Sequence, residues 1–163
     1  MKKTLLIVFA IISLFLITGC GKKNNDIIVK ANKVLICTKE ETDEQGYKTK
    51  EEMKVVYSKK KVLTVIQDVT SETDPQVIDY AISAGKKVED MFSDVEGIKI
   101  SYSMLDTKTI KSSIEVDLEK VNIEKLKSKF KGILTEEELS MFTARDTTID
   151  EFKKQELEGY KCK

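Results

Sequence analysis

The sequence predicts an α+β domain: an antiparallel sheet of about five strands, with one long helix and shorter C-terminal helices packed on one face. Two patterns carry this expectation. From Ile98 to Leu118 apolar and polar side chains alternate with period two, through Ile98, Ile100, Tyr102 and Met104, and then Ile110, Ser112, Ile114, Val116 and Leu118. Between Val77 and Val95 the apolar residues instead recur three and four apart, at Val77, Ile78, Ala81, Ile82, Val88, Met91, Phe92 and Val95. That spacing is the stripe of an amphipathic helix of about twenty residues.

At the start of the chain, Lys2 and Lys3 precede an apolar run from Thr4 to Thr18, and Thr18-Gly19 stands directly before Cys20. A charged start, an apolar middle and a small residue before the cut form the layout of an export signal. As a helix the run spans roughly 22 Å, short of the ~30 Å hydrocarbon core of a bilayer. Leu16-Ile17-Thr18-Gly19-Cys20 reads as a lipobox, with residues 1–19 removed as a lipoprotein signal peptide and Cys20 carrying the lipid. One fatty chain holds a protein to a membrane only marginally, so a lipid of several chains is what makes such an anchor stable. The expected location is the extracytoplasmic side of the cell membrane, with the membrane as a partner through Cys20. Residues 20–33 then form the lipidated start and a polar tether, and 34–163 a single domain large enough to bury its own core.

Cleavage removes Lys2 and Lys3 and no acid, leaving 26 basic and 28 acidic side chains, a net charge of −2. That balance excludes the basic footprint of a nucleic-acid binder and a strong polybasic clamp across the whole domain. Only Arg145 among the basic residues is an arginine, so rigid two-pronged grips on phosphate or carboxylate have little material. With Cys20 assigned to lipid, Cys37 and Cys162 remain. An exported protein meets an oxidising setting, and an even remainder favours one disulfide over two free thiols. A metal pair fits less well, because the chain has no histidine to complete a usual zinc site.

Val34 to Glu41 opens apolar and turns polar, as a first strand does, and Asp43-Glu44-Gln45-Gly46 supplies turn chemistry. Glu51–Ser58 and Val62–Val69 alternate on either side of Lys59-Lys60-Lys61, which predicts a hairpin with a solvated lysine tip. Asp74-Pro75 is a start signal for the long helix, Asp as cap and Pro at the first helical position, and Gly97 is its stop. Gly85, on the apolar side, points to close packing of that helix on the sheet. After the second hairpin, Asn122 caps a helix over Ile123–Phe130. Thr135-Glu136-Glu137-Glu138 and Thr148-Ile149-Asp150-Glu151 have capping-box spacing. Tyr160-Lys161-Cys162-Lys163 offers a short last strand beside the one that holds Cys37.

No residue set names a reaction. There is no histidine for a nucleophilic triad, no phosphate-cradling glycine loop and no tryptophan platform for sugars. Glu115, Asp117 and Glu119 share one strand face, which reads as a solvated surface since calcium needs six to eight converging oxygens. Glu136-Glu137-Glu138 suits the positive end of a helix dipole. Met91-Phe92 and Met141-Phe142 read as core residues. No catalytic residue, metal site or cofactor is expected.

With these residues in view, the chain resembles the YehR-like small lipoproteins, a family defined by a domain of unknown function. The likeness lies in a short first strand after the tether, a hairpin, a central helix and Gly97-Ile98-Lys99-Ile100-Ser101-Tyr102. Val116-Asp117 and Leu157-Glu158-Gly159-Tyr160 complete the pattern. The resemblance implies a compact α+β lipoprotein domain at the envelope and transfers no catalytic residues. The functional expectation is a non-catalytic binding or interaction module for an envelope protein or a small ligand. The alternatives are a carboxylate-dependent hydrolase using an acid such as Asp117, and a purely structural lipoprotein.

Overall fold

The computed structural model describes residues 32–133, 135, 142 and 147–163. The expected signal peptide, Cys20, the tether as far as residue 31 and the glutamates of the first capping box lie outside the described residues.

Among the described residues six antiparallel strands form one sheet: β1 (Lys33–Thr42), β2 (Lys48–Ser58), β3 (Lys61–Glu72), β4 (Ile98–Met104), β5 (Thr109–Asp117) and β6 (Lys161–Cys162). Their order across the sheet is β4-β5-β3-β2-β1-β6. The helices described with them are α1 (Ile78–Phe92), α2 (Ile123–Lys129) and α3 (Ile149–Glu156). The α+β layout is as the alternation predicts, and the sixth strand is the two-residue C-terminal one, paired with β1 at Cys37 and Thr38.

The register shows a gradient along the helix-covered face. Toward the start of β1, Leu35, Val55, Val65, Val116 and Ile98 stand side by side across five strands, and every one is buried. Toward the end of β1 the corresponding row is Glu41, Thr49, Ser71, Ile110 and Met104. Apolar pleats attract helices and polar pleats do not. The main core follows that rule: it joins the first row to Phe92 of α1, Leu126 and Phe130 at α2, Phe142, and Ile149 and Phe152 of α3. Phe92 stacks on Phe130 with ring centroids 4.3 Å apart, so the Met91-Phe92 pair supplies core through its phenylalanine.

Helix α1 begins later than Asp74-Pro75 predicts. The Asp74 carboxylate accepts the Gln76 N–H at 2.8 Å and its carbonyl accepts the Val77 N–H at 3.0 Å, closing a turn. The helical ladder starts only at the Val77 carbonyl, which accepts from Ala81. At the other end, Ser93 Oγ donates to the Asp90 carbonyl at 2.7 Å and tightens the last turn before Gly97. Gly85 sits against the Tyr102 ring, where an added Cβ would stand 2.5 Å from ring carbons. The β2–β3 connection is a two-residue turn with φ of 49° at Lys59 and 73° at Lys60, the left-handed region that asparagine and glycine normally fill. Thr148 caps α3, and the Thr148 N–H donates to Glu151 at 2.9 Å, completing the predicted capping box.

Candidate functional site

The polar row leaves an opening. A cavity of about 880 Å³ lies between the β1–β2 loop and the first turn of α1, with Thr49, Ile110 and Ala81 among its walls. Volumes of this size suit a small organic ligand. Tyr47 enters from the loop, Val77 from the turn before α1 and Tyr80 from α1, with Tyr80 70% exposed. Thr49 Oγ1 and Ser71 Oγ lie 3.2 Å apart on the sheet floor.

The rim is built by carboxylates that hold backbone in place. Asp43 accepts the N–H groups of Gln45 and Tyr47, each at 2.9 Å, and so shapes the loop that carries Tyr47. Glu72 accepts Lys108 Nζ at 3.1 Å and the Lys48 N–H at 3.2 Å, and these contacts, Lys108 first, hold its carboxyl below the usual range. Glu41 pairs with Lys39 at 2.7 Å. Asp74 is occupied by the turn that precedes α1. Among the described residues the lining thus carries Glu41, Asp43, Glu72 and Asp74 and no lysine or arginine. Such a rim favours neutral or cationic ligands over anions, and its acids are engaged as braces.

Next to the cavity along the same face, Tyr160 donates its hydroxyl to Glu51, and burial first, then this bond, pushes the phenol above its ordinary range. Lys39 Nζ lies 5.9 Å from the Tyr160 ring centroid. Cys37 and Cys162 are joined by a disulfide with Cα atoms 3.9 Å apart, fixing β6 to the middle of β1.

The strand-face acids do not converge. Glu115 pairs with Lys99 at 3.0 Å across β4 and β5, and Asp117 pairs with Lys120 at 2.7 Å. Glu119 lies past the end of β5, where its N–H donates to Asp117 at 3.1 Å. Among the described residues no cluster of three or more acids or cysteines has metal-site geometry. The sequence signals for the cavity were weak. Asp43 and Asp74 read as turn residues, and Tyr47 and Tyr80 are brought together only by the topology.

No family model matches the chain and no curated protein matches it. Among solved structures, an NMR structure of a protein from Streptococcus pneumoniae TIGR4 is similar, with TM-score 0.52 and 11% identity over 90% of this chain and 96% of that one. At this identity the likeness shows the fold alone. The NMR structure of Escherichia coli YehR is a further structural neighbour, with TM-score 0.47 and 13% identity over 73% of this chain and 91% of that one.

Proposed function

We propose that the protein is a lipid-anchored, non-catalytic binding module that takes a small neutral or cationic ligand into the cavity between the β1–β2 loop and α1. The observation that carries this reading is the cavity itself, walled by Tyr47, Tyr80, Val77 and Ile110 beside a closed hydrophobic core. Aromatic and aliphatic walls with a few placed hydroxyls are the usual composition of a ligand site. The engagement of each rim acid by a lysine or a backbone N–H supports binding over proton transfer, since a general acid or base needs a carboxyl free to reach substrate.

The lipobox at Leu16–Cys20 supports the anchor. Among the described residues no helix is long and apolar enough to cross a membrane. The chain leads toward Cys20 from Lys33, the start of β1, whereas Glu41 and Thr42 at the cavity rim end it. A strand rises about 3.3 Å per residue, so the rim stands about 30 Å from that exit. The exit toward Cys20 and the cavity rim therefore lie at opposite ends of β1.

Native mass spectrometry of the protein purified from membranes tests both parts. The expected result is an acyl mass on Cys20 and a retained ligand mass that Thr49→Arg, which puts a long cationic side chain on the cavity floor, abolishes. An acylated protein that carries no ligand in either form, under conditions where its fold is intact, supports the purely structural lipoprotein instead.

A further inference from the structure

Lys33, Lys59, Lys60 and Lys61 are brought to one corner of the sheet by the pairings Lys33↔Tyr57 and Ser58↔Lys61, and all four are exposed. Among the described residues their one ion pair is between Lys60 and Asp150, at 3.9 Å with both side chains largely in solvent. The corner is held rigid from behind. Lys60's carbonyl accepts the Ile149 N–H at 2.7 Å, and Lys61 bridges to Thr148. Two lysines occupy left-handed positions that asparagine and glycine fill at less cost, so this turn keeps positive charge against its own backbone preference. Beside it, on the face away from the helices, Val34 is 55% exposed and Ile36 38% exposed; Val34 pairs with half-buried Val56 and Ile36 with Lys54. The same corner is where the chain leaves toward Cys20, thirteen residues from Lys33. That length reaches at most about 45 Å.

From this juxtaposition we infer that the corner formed by Val34, Ile36 and the Lys59–Lys61 turn, with Lys33 on the opposite pleat at its edge, is a bilayer-contacting surface that seats the domain on anionic phospholipid headgroups. The inference rests on the lipid-anchor reading of Cys20. Lysines meet the headgroup phosphates, and the two aliphatic side chains meet the interface beneath them. Each lysine near an anionic surface strengthens attachment about fivefold. The anchor fixes the protein to the membrane; this corner fixes which way it faces.

The chain contains no tryptophan, so one introduced indole reports without background. The mature lipidated protein carrying Val34→Trp, and separately Tyr80→Trp, is reconstituted into vesicles of brominated phosphatidylcholine with and without phosphatidylglycerol. Flotation and intact mass first establish that the protein is acylated and bound; failure there overturns the anchor reading itself. With bound protein, the expected result for the Val34→Trp variant is strong quenching in the anionic vesicles and weak quenching in the neutral ones. The Tyr80→Trp variant is expected to show no quenching in either. Lys59→Asn with Lys60→Gly and Lys61→Gln suits the turn, so the fold is kept, and the seated population falls about 100-fold with three charges gone. The inference is overturned if the floating Val34→Trp protein is unquenched, is quenched equally in both vesicles, or is quenched no more than the Tyr80→Trp protein.

Discussion

The two ends of the helix-covered face share one register and differ in what they are made of. At one end Leu35, Val55, Val65, Val116 and Ile98 form a continuous apolar row that three helices close over. At the other, Glu41, Thr49 and Ile110 line a cavity beside the β1–β2 loop and the first turn of α1, and only a small cluster of Ile110, Ile78, Ala81 and Tyr102 is buried. Alternation decides which face a side chain joins, but the identity of the inward residue decides whether a helix gains by covering it. The closed end supplies stability and the open end has surface to spare for a ligand.

This difference is open to attack by substitution. The largest effect belongs to the strap that closes the sheet edge: Cys37→Ala with Cys162→Ala frees a loop of 125 residues. Chain entropy alone puts the loss at about 5 kcal/mol, read by chemical denaturation. Next is alkali. Burial first, then the charge of Glu89, pushes Tyr102 up to about 12. Its phenol stays protonated when folded and ionises near pH 10 when unfolded, so its contribution is whole below pH 10 and is lost as pH rises through about 12. That loss amounts to roughly 2–3 kcal/mol, and a tyrosinate absorbance titration run beside the unfolding curve should show one step with both signals.

Gly85→Ala pits a gain in helix propensity of about 1 kcal/mol against overpacking on Tyr102 that costs up to about 3 kcal/mol. A net loss of about 2 kcal/mol is expected by thermal unfolding, and a stabilised variant would show that α1 does not rest on β4 as described. Smallest is Tyr80→Ala. An exposed wall residue should change stability by less than about 0.5 kcal/mol while ligand retention is lost. If it costs as much as Gly85→Ala, the open end carries stability too and the contrast between the ends fails.

Much of this architecture was legible in the chain. Ile98 to Leu118 alternates so regularly that both strands and their buried faces follow from it, and the pairing of Cys37 with Cys162 follows once Cys20 is assigned to lipid. Gly85 also announced its close contact. The start of α1 was not legible, because Asp74-Pro75 serves equally well as a helix cap and as the turn that it makes. The row of Glu115, Asp117 and Glu119 was half legible: alternation fixes their face, yet β5 stops at Asp117 and the third acid leaves it. The cavity was hidden for a different reason. Its walls come from residues distant in sequence, such as Tyr47 and Tyr80, and its existence depends on what the helices leave uncovered.

The most direct test sets the two ends against each other in intact cells. A photoreactive side chain is placed at Tyr80 in one strain and at Lys60 in another, and the adducts are identified by mass spectrometry. The account predicts a discrete non-lipid ligand captured from Tyr80 and phospholipid captured from Lys60. Phospholipid at Tyr80, or the same adducts from both positions, would contradict a protein that is anchored at one end and binds at the other.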